Sequence, residues 1–175
     1  MQEIAEIVFW ASVALVVYTY VGYPLLVAAL ARLRPAVAAA GGYTGSVSVI
    51  LAARDEQAQG DVLVLADVRQ RWAADALERL LRPFSDPRVG AASGELVIER
   101  DDGVMSGVGL YWRYEKWLRQ NEARLHSTVG VSGSISAVRR SLFAPIPRGT
   151  LLDDVYWPLR VAMQGRRVAF VAHAR

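Results

Sequence analysis

The apolar and polar positions divide the chain into two regimes. From Ile7 through Ala31 no charged residue interrupts a hydrophobic run. As a helix this run would extend about 37 Å at about 1.5 Å per residue, enough to cross a ~30 Å hydrocarbon core with some tilt. Tyr18, Tyr20 and Tyr23 fall where an interfacial aromatic belt is expected, and Gly22-Tyr23-Pro24 is a candidate kink. Beyond Arg34 the apolar runs become short and end in charge. Ser46 to Ala53 ends in Arg54-Asp55-Glu56, and Val62 to Ala66 ends in Asp67, with Arg69 two positions on. Such runs, bounded by glycine and charge, predict strands buried on both faces, as in a parallel sheet under helices.

Further along, Ala73 to Leu81 has helical composition and is stopped by Pro83, and Val89 to Ile98 reads as a strand with a break at Gly94. Val104 to Leu125 is the longest helix candidate after the first. Tyr111, Leu118 and Leu125 fall on one stripe, with Trp112, Trp117, Arg113, Lys116 and Arg119 around it. That helix is either packed on a core or laid in a membrane interface, where Trp and Tyr beside Arg and Lys are at home. Thr128 to Val138 is a small-residue strand that turns at Ser132-Gly133 and runs into Arg139-Arg140. Leu151-Leu152-Asp153-Asp154 opens a helix to Gln164 with Gly165 as its C′ residue, and Arg166 to Val171 is a last strand. Alternating strands and helices give an α/β fold.

One connection is awkward. Only the eight residues from Arg54 to Asp61 separate the first two strands. Parallel neighbours take a crossover of about a dozen residues or more, usually a helix. Either the strands pair in some other way, or a segment is missing.

Composition sharpens this picture. The 175 residues allow one modest domain and an appendage. A hydrophobic share of 53% and a mean hydropathy of +0.22 suggest that part of the chain lies in lipid. Glu3 and Glu6 precede the long apolar run while Arg32 and Arg34 follow it, which orients the bulk of the chain to the cytoplasm, at the cell (inner) membrane. A cleaved signal peptide fits badly, since its start should be basic and its apolar core shorter. The expected division is an anchor over 1–34, an Ala/Gly-rich linker over 35–45, and a folded domain over 46–175. The absence of cysteine excludes disulfides, thiolate metal sites and Cys nucleophiles. A net charge of +3, scattered among acids, carries no nucleic-acid signal and points to an anionic membrane surface.

The candidate chemistry sits at strand ends. In open α/β sheets ligands bind outside the carboxyl ends of the strands, which puts Asp67 and Arg69 at the rim of a crevice; alternatively they are turn residues leading into the next helix. Aspartate at a helix start is favoured on structural grounds alone, so one of Asp153 and Asp154 needs no further role. Two adjacent carboxylates exceed what a cap requires, and the second is a candidate general base. The bend at Ser132-Gly133 would let a ligand approach the backbone closely. His126 and His173 lack ligand spacing, and no Gly-rich phosphate loop follows either strand, which disfavours a plain nucleotide-binding module.

Taken together these motifs resemble the family 2 glycosyltransferases of GT-A fold, in particular the membrane-tethered hyaluronan- and cellulose-synthase-like members. Val47 to Glu56 is similar to the family's opening strand and its nucleoside-contacting end, with Ala52 in place of the usual Pro and Arg54-Asp55 in place of Tyr-Asn. Asp67 matches the first aspartate of the Asp-x-Asp motif, and Arg69 stands where the second usually lies. Val131-Ser132-Gly133 through Arg139-Arg140 is similar to the segment near the acceptor, and Asp153-Asp154 resembles the Glu-Asp pair whose second member is the catalytic base. The resemblance implies a membrane-bound, inverting transfer of sugar from a nucleotide-sugar donor, a UDP-sugar by expectation, to a saccharide or lipid acceptor in polysaccharide biosynthesis. It also implies a divalent cation, Mg²⁺ or Mn²⁺, at Asp67. Asp154 and Asp153 would be catalytic, Ala53, Arg54, Glu56, Asp67 and Arg69 would bind the donor, and Ser132 and Gly133 the acceptor. Two departures stand out. The family's long segment between opening strand and Asp-x-Asp strand is absent, and the chain stops before a Gln-x-x-Arg-Trp motif. An incomplete GT-A (Rossmann-like) mixed sheet, with an internal deletion and a C-terminal truncation, is therefore expected. A catalytically inactive, membrane-anchored remnant or interaction module is the competing expectation.

Overall fold

The computed structural model describes residues 1–35, 41–51, 59–67, 71–95 and 106–174. The first of these is nearly all one helix, continuous from Gln2 to Arg32 and built from α1 (Gln2–Val17), a π turn (Tyr18–Gly22) and α2 (Tyr23–Arg32). It is long and apolar enough to cross a bilayer. Its two parts differ in burial: α1 buries none of its residues, while α2 buries Pro24, Val27, Ala28 and Ala31. Those four positions are spaced as one helical stripe, and they pack on α4 (Ser106–Leu125). The π turn has a local cause in Pro24. Proline has no N–H to give to the carbonyl four residues earlier, and that carbonyl, Tyr20, accepts the Tyr114 hydroxyl of α4 at 2.8 Å.

Five strands form one mixed sheet in the order β1-β2-β4-β3-β5: β1 (Val47–Leu51), β2 (Val62–Ala66), β3 (Val89–Ser93), β4 (Ile135–Arg139) and β5 (Arg167–Phe170). The pairs β1-β2 and β3-β5 are parallel, and β4 runs antiparallel to both its neighbours. The carboxyl ends of β1, β2, β3 and β5 therefore share one edge with the amino end of β4. Side chains of β2 alternate between two buried layers. Val62 and Val64 join Leu80, Phe84 and Ile135 beneath α3 (Ala76–Leu81), while Leu63 joins Val138, Val161 and Trp157 beneath α5 (Asp153–Met163). This is the strand buried on both faces that its unbroken apolar run predicted.

The awkward connection resolves into direct parallel pairing. Val47 faces Val62 and Leu51 faces Ala66 in unbroken register. The return path is about 16 Å at ~3.3 Å per residue, and the ten connecting positions can span about twice that when extended, so no helix is required. Where the link rejoins the sheet it is pinned to the start of β1. The Asp61 carboxylate accepts the Ser46 hydroxyl at 2.6 Å, and the Gly60 amide donates to Ser48 Oγ at 2.8 Å. A Cβ at Gly60 would lie 2.5 Å from the Ser48 amide nitrogen, so only glycine permits this approach.

Other boundaries shift modestly. The helix expected from Ala73 begins at Ala76 and continues as a 3₁₀ turn through Pro83 to Ser85. β3 stops at Ser93, and the rest of the expected strand, 96–98, lies outside the described residues. The long helix is described from Ser106 to Leu125, and its expected start at Val104 lies outside the described residues. On that helix Tyr111 is 57% exposed; Tyr114 donates to the Tyr20 carbonyl in the π turn, and the buried Glu122 accepts the Tyr23 hydroxyl of α2. The last helix begins at Asp153 with Leu152, not an aspartate, at the cap, and Gly165 follows it at φ 75° as expected.

Candidate active site

Residues 131–134 tie the strand tips together. The Asp67 amide at the end of β2 donates to the Ser134 carbonyl at 3.3 Å. The Ser132 amide donates to Ser93 Oγ at the end of β3 at 2.8 Å, and the Ser132 and Ser134 hydroxyls are 2.6 Å apart. The Val131 amide donates to the Asp154 carbonyl at 2.9 Å. Asp67 and Asp154 thus stand on the same edge of the sheet, each anchored to one short segment. Ser93, Ser132 and Ser134 are buried, which is tolerable because their hydroxyls are engaged with each other and the backbone.

The tie to Asp154 depends on Pro158. In an uninterrupted helix the amide at 158 would bond the Asp154 carbonyl; proline leaves that carbonyl to Val131. The two aspartates then diverge. Asp153 is exposed and its Oδ1 accepts the Asp154 amide at 3.0 Å, satisfying one donor of the first turn. Asp154 is half-buried and lines a cavity of about 480 Å³ together with Ser132 and Gly133. The facing wall is one side of α4, carrying Trp112, Arg113, Lys116 and Arg119.

Two ion pairs organise this wall. Lys116 Nζ lies 2.6 Å from Glu95 Oε1, and Arg119 lies 2.6 Å from Glu115. Glu95 Oε2 also accepts the His173 amide at 2.9 Å. Burial pushes the Glu95 carboxyl up, but the hydrogen bonds from Lys116 and His173 and the Lys116 charge outweigh it and hold the group below the usual glutamate range.

Of the residues marked from sequence, Ser132, Gly133 and Asp154 line the cavity; Asp67 stands at the same sheet edge through its amide bond to Ser134 and Asp153 precedes Asp154, but neither lines it. Ala53, Arg54, Glu56 and Arg69 lie outside the described residues. Glu95 and Ser93 escaped sequence reasoning, and so did the pairing of Lys116 with Glu95, since nothing local marks a pair 21 positions apart. Among the described residues no group of three or more His, Cys, Asp or Glu could hold a metal ion. Asp67 alone fits a hard cation only as part of a shell that substrate phosphates and water complete, a common arrangement for Mg²⁺.

No protein-family profile matches the chain. In sequence it is similar to the O-antigen chain rhamnosyltransferase RfbN of Salmonella typhimurium, 28% identical over a region covering 58% of this chain and 35% of that protein. In structure it is similar to the mannosyltransferase PcManGT from Pyrobaculum calidifontis, solved in complex with GDP-Man and Mn²⁺, with a TM-score of 0.52 and 25% identity over 67% of this chain and 33% of the other. The mixed sheet with flanking helices matches a glycosyltransferase fold, and both of these similar proteins are glycosyltransferases. It spans about a third of the length of each of these proteins.

Proposed function

We propose that the chain is a membrane-bound family 2 glycosyltransferase of GT-A fold that transfers a sugar with inversion from a nucleotide-sugar donor to a saccharide or lipid acceptor. The observation that carries this reading is the segment 131–134, which bonds the Asp67 amide and the Asp154 carbonyl at one sheet edge, with Asp154 lining a cavity there. In an inverting transfer the base takes the acceptor hydroxyl's proton, the oxygen attacks the anomeric carbon, and the nucleoside diphosphate leaves from the opposite face. Asp154 is assigned as that base, with Asp153 holding its amide in place. Ser132 and Gly133 border the acceptor, and Ala53, Arg54, Glu56 and Arg69 are assigned to the donor. Asp67 would hold Mg²⁺ or Mn²⁺, which would supply neutralisation of leaving-group charge. GDP-Man in the structural relative supports nucleotide-sugar use, and the donor here is a UDP- or GDP-linked sugar. The exposed α1 and its π turn are assigned to the bilayer as anchor, with residues 46–175 as the catalytic domain at its cytoplasmic face.

A second reading, the non-catalytic remnant, draws on the in-register β1-β2 pairing, which leaves no further βα unit between those strands. One assay separates the two. The chain is reconstituted in nanodiscs and supplied with Mn²⁺, radiolabelled UDP- or GDP-sugars and soluble or lipid acceptors. Movement of label to an acceptor is the expected result. Neither transfer nor donor binding with any sugar nucleotide would favour the remnant.

A further inference from the structure

A second cavity, of about 420 Å³, is lined by Arg34, Arg88, His126 and Arg167, with Pro35 and Leu125 as its apolar walls. Arg88 and Arg167 stand at the amino ends of β3 and β5, the sheet edge opposite to the one that carries Asp67 and Asp154. Among the described residues no carboxylate lines this cavity. Three guanidiniums brought together from separate parts of the chain repel one another. A repulsion that the lining does not answer with an acid marks a place for an anion.

Capping and pairing use only part of this charge. Arg167 donates to the carbonyls of Ala123, Arg124 and His126 at 2.9 to 3.1 Å, which fixes its guanidinium at the end of α4. Arg88 clasps Asp86 at 2.7 Å. Burial, and then the nearby charges of Arg88 and Arg34, hold the Arg167 guanidinium below its ordinary pKa against the pull of Asp86. Arg34 accepts Arg124 Nε at its carbonyl, but its side chain makes no hydrogen bond or ion pair among the described residues. A planar guanidinium so placed is suited to a phosphate, which it can hold through paired hydrogen bonds. Distance argues against a lipid headgroup as the source. With α1 and the π turn in the bilayer, the ten residues of α2 carry the chain about 15 Å further at ~1.5 Å per residue. A headgroup layer is only about 5–8 Å deep.

We propose that Arg34, Arg88 and Arg167 bind a phosphate-bearing small molecule from solution, at a site separate from the cavity that holds Asp154. Bound there, the anion bridges the exit of the long apolar helix to β3 and β5. The assignment does not depend on what Asp154 does, and its test needs no turnover. The full chain in phosphatidylcholine nanodiscs is titrated with inorganic pyrophosphate by calorimetry, at constant ionic strength and against empty nanodiscs. EDTA is present, so that no divalent cation draws the probe to the carboxylates of the other edge. Saturable binding is expected, weakened about tenfold in Arg34→Ala, as for loss of a hydrogen bond to a charged group, and partly kept in Arg34→Lys. Arg34 is exposed and its bonds run through backbone atoms, so the fold tolerates alanine there. Asp154→Asn is expected to bind the probe as the parent chain does. Absence of saturable binding, or equal binding by Arg34→Ala and the parent, would overturn the site. So would loss of pyrophosphate binding in Asp154→Asn, which would place the probe in the other cavity. Binding is also expected to persist in nanodiscs containing phosphatidic acid. Binding abolished there but intact in phosphatidylcholine would give the site to a lipid phosphate and overturn the source in solution.

Discussion

Glu95 is held by three parts of the chain at once. Its carboxylate takes Lys116 of α4 and the His173 amide, and its own amide donates to the Ala174 carbonyl. Because its folded pKa is depressed, the stability it contributes is present above the unfolded value of about 4.3 and is lost as pH falls through the folded one. Glu95→Gln is expected to cost about 1–3 kcal/mol at pH 7, as for a hydrogen bond to a charged group. The gap from the parent chain should shrink when unfolding in detergent is repeated below about pH 4. A gap that does not change with pH would count against this role. Residue types at the strand tips were legible in the sequence because Asp67 and Asp154 follow apolar or capping patterns whose geometry is local. Glu95 and Lys116 were not, because only the packing of α4 against the end of β3 brings them together.

Among elements, the proline positions explain much of what holds the site. Pro24 frees the Tyr20 carbonyl for Tyr114, and Pro158 frees the Asp154 carbonyl for Val131. In each case a helix loses one internal bond and gains a tie to another element. Pro24 was readable in sequence as part of a candidate kink; the partners the two prolines release were not, because those lie 94 and 23 positions distant. β1 and β2 teach the opposite lesson. Their apolar runs announced buried strands, and the short link looked incompatible with parallel pairing because helical crossovers are the common solution. A direct return suffices when Gly60 can lie against β1. Gly60→Ala, whose Cβ would sit 2.5 Å from Ser48 N and 2.7 Å from Val47 C, should lower stability by about 1–3 kcal/mol through overpacking. An unchanged denaturation midpoint would contradict the close approach described for this link.

At the scale of the whole molecule, the chain places a sheet edge bearing two aspartates beside a helix long enough to anchor it in lipid. The length and uniform apolarity of that helix were plain from sequence, whereas its division into an exposed part and a docked part depends on α4. The strand order β1-β2-β4-β3-β5 was not legible, since periodicity identifies strands but not their neighbours. The central claim is that this edge performs glycosyl transfer with Asp154 as the base. Its most direct test compares the parent chain with Asp154→Asn in nanodiscs, measuring sugar transfer and nucleotide-sugar affinity side by side. Loss of transfer by a factor on the order of 10²–10⁴, with donor affinity nearly intact, is the expected result. Transfer at the parent rate, or loss of transfer and donor affinity together, would contradict it.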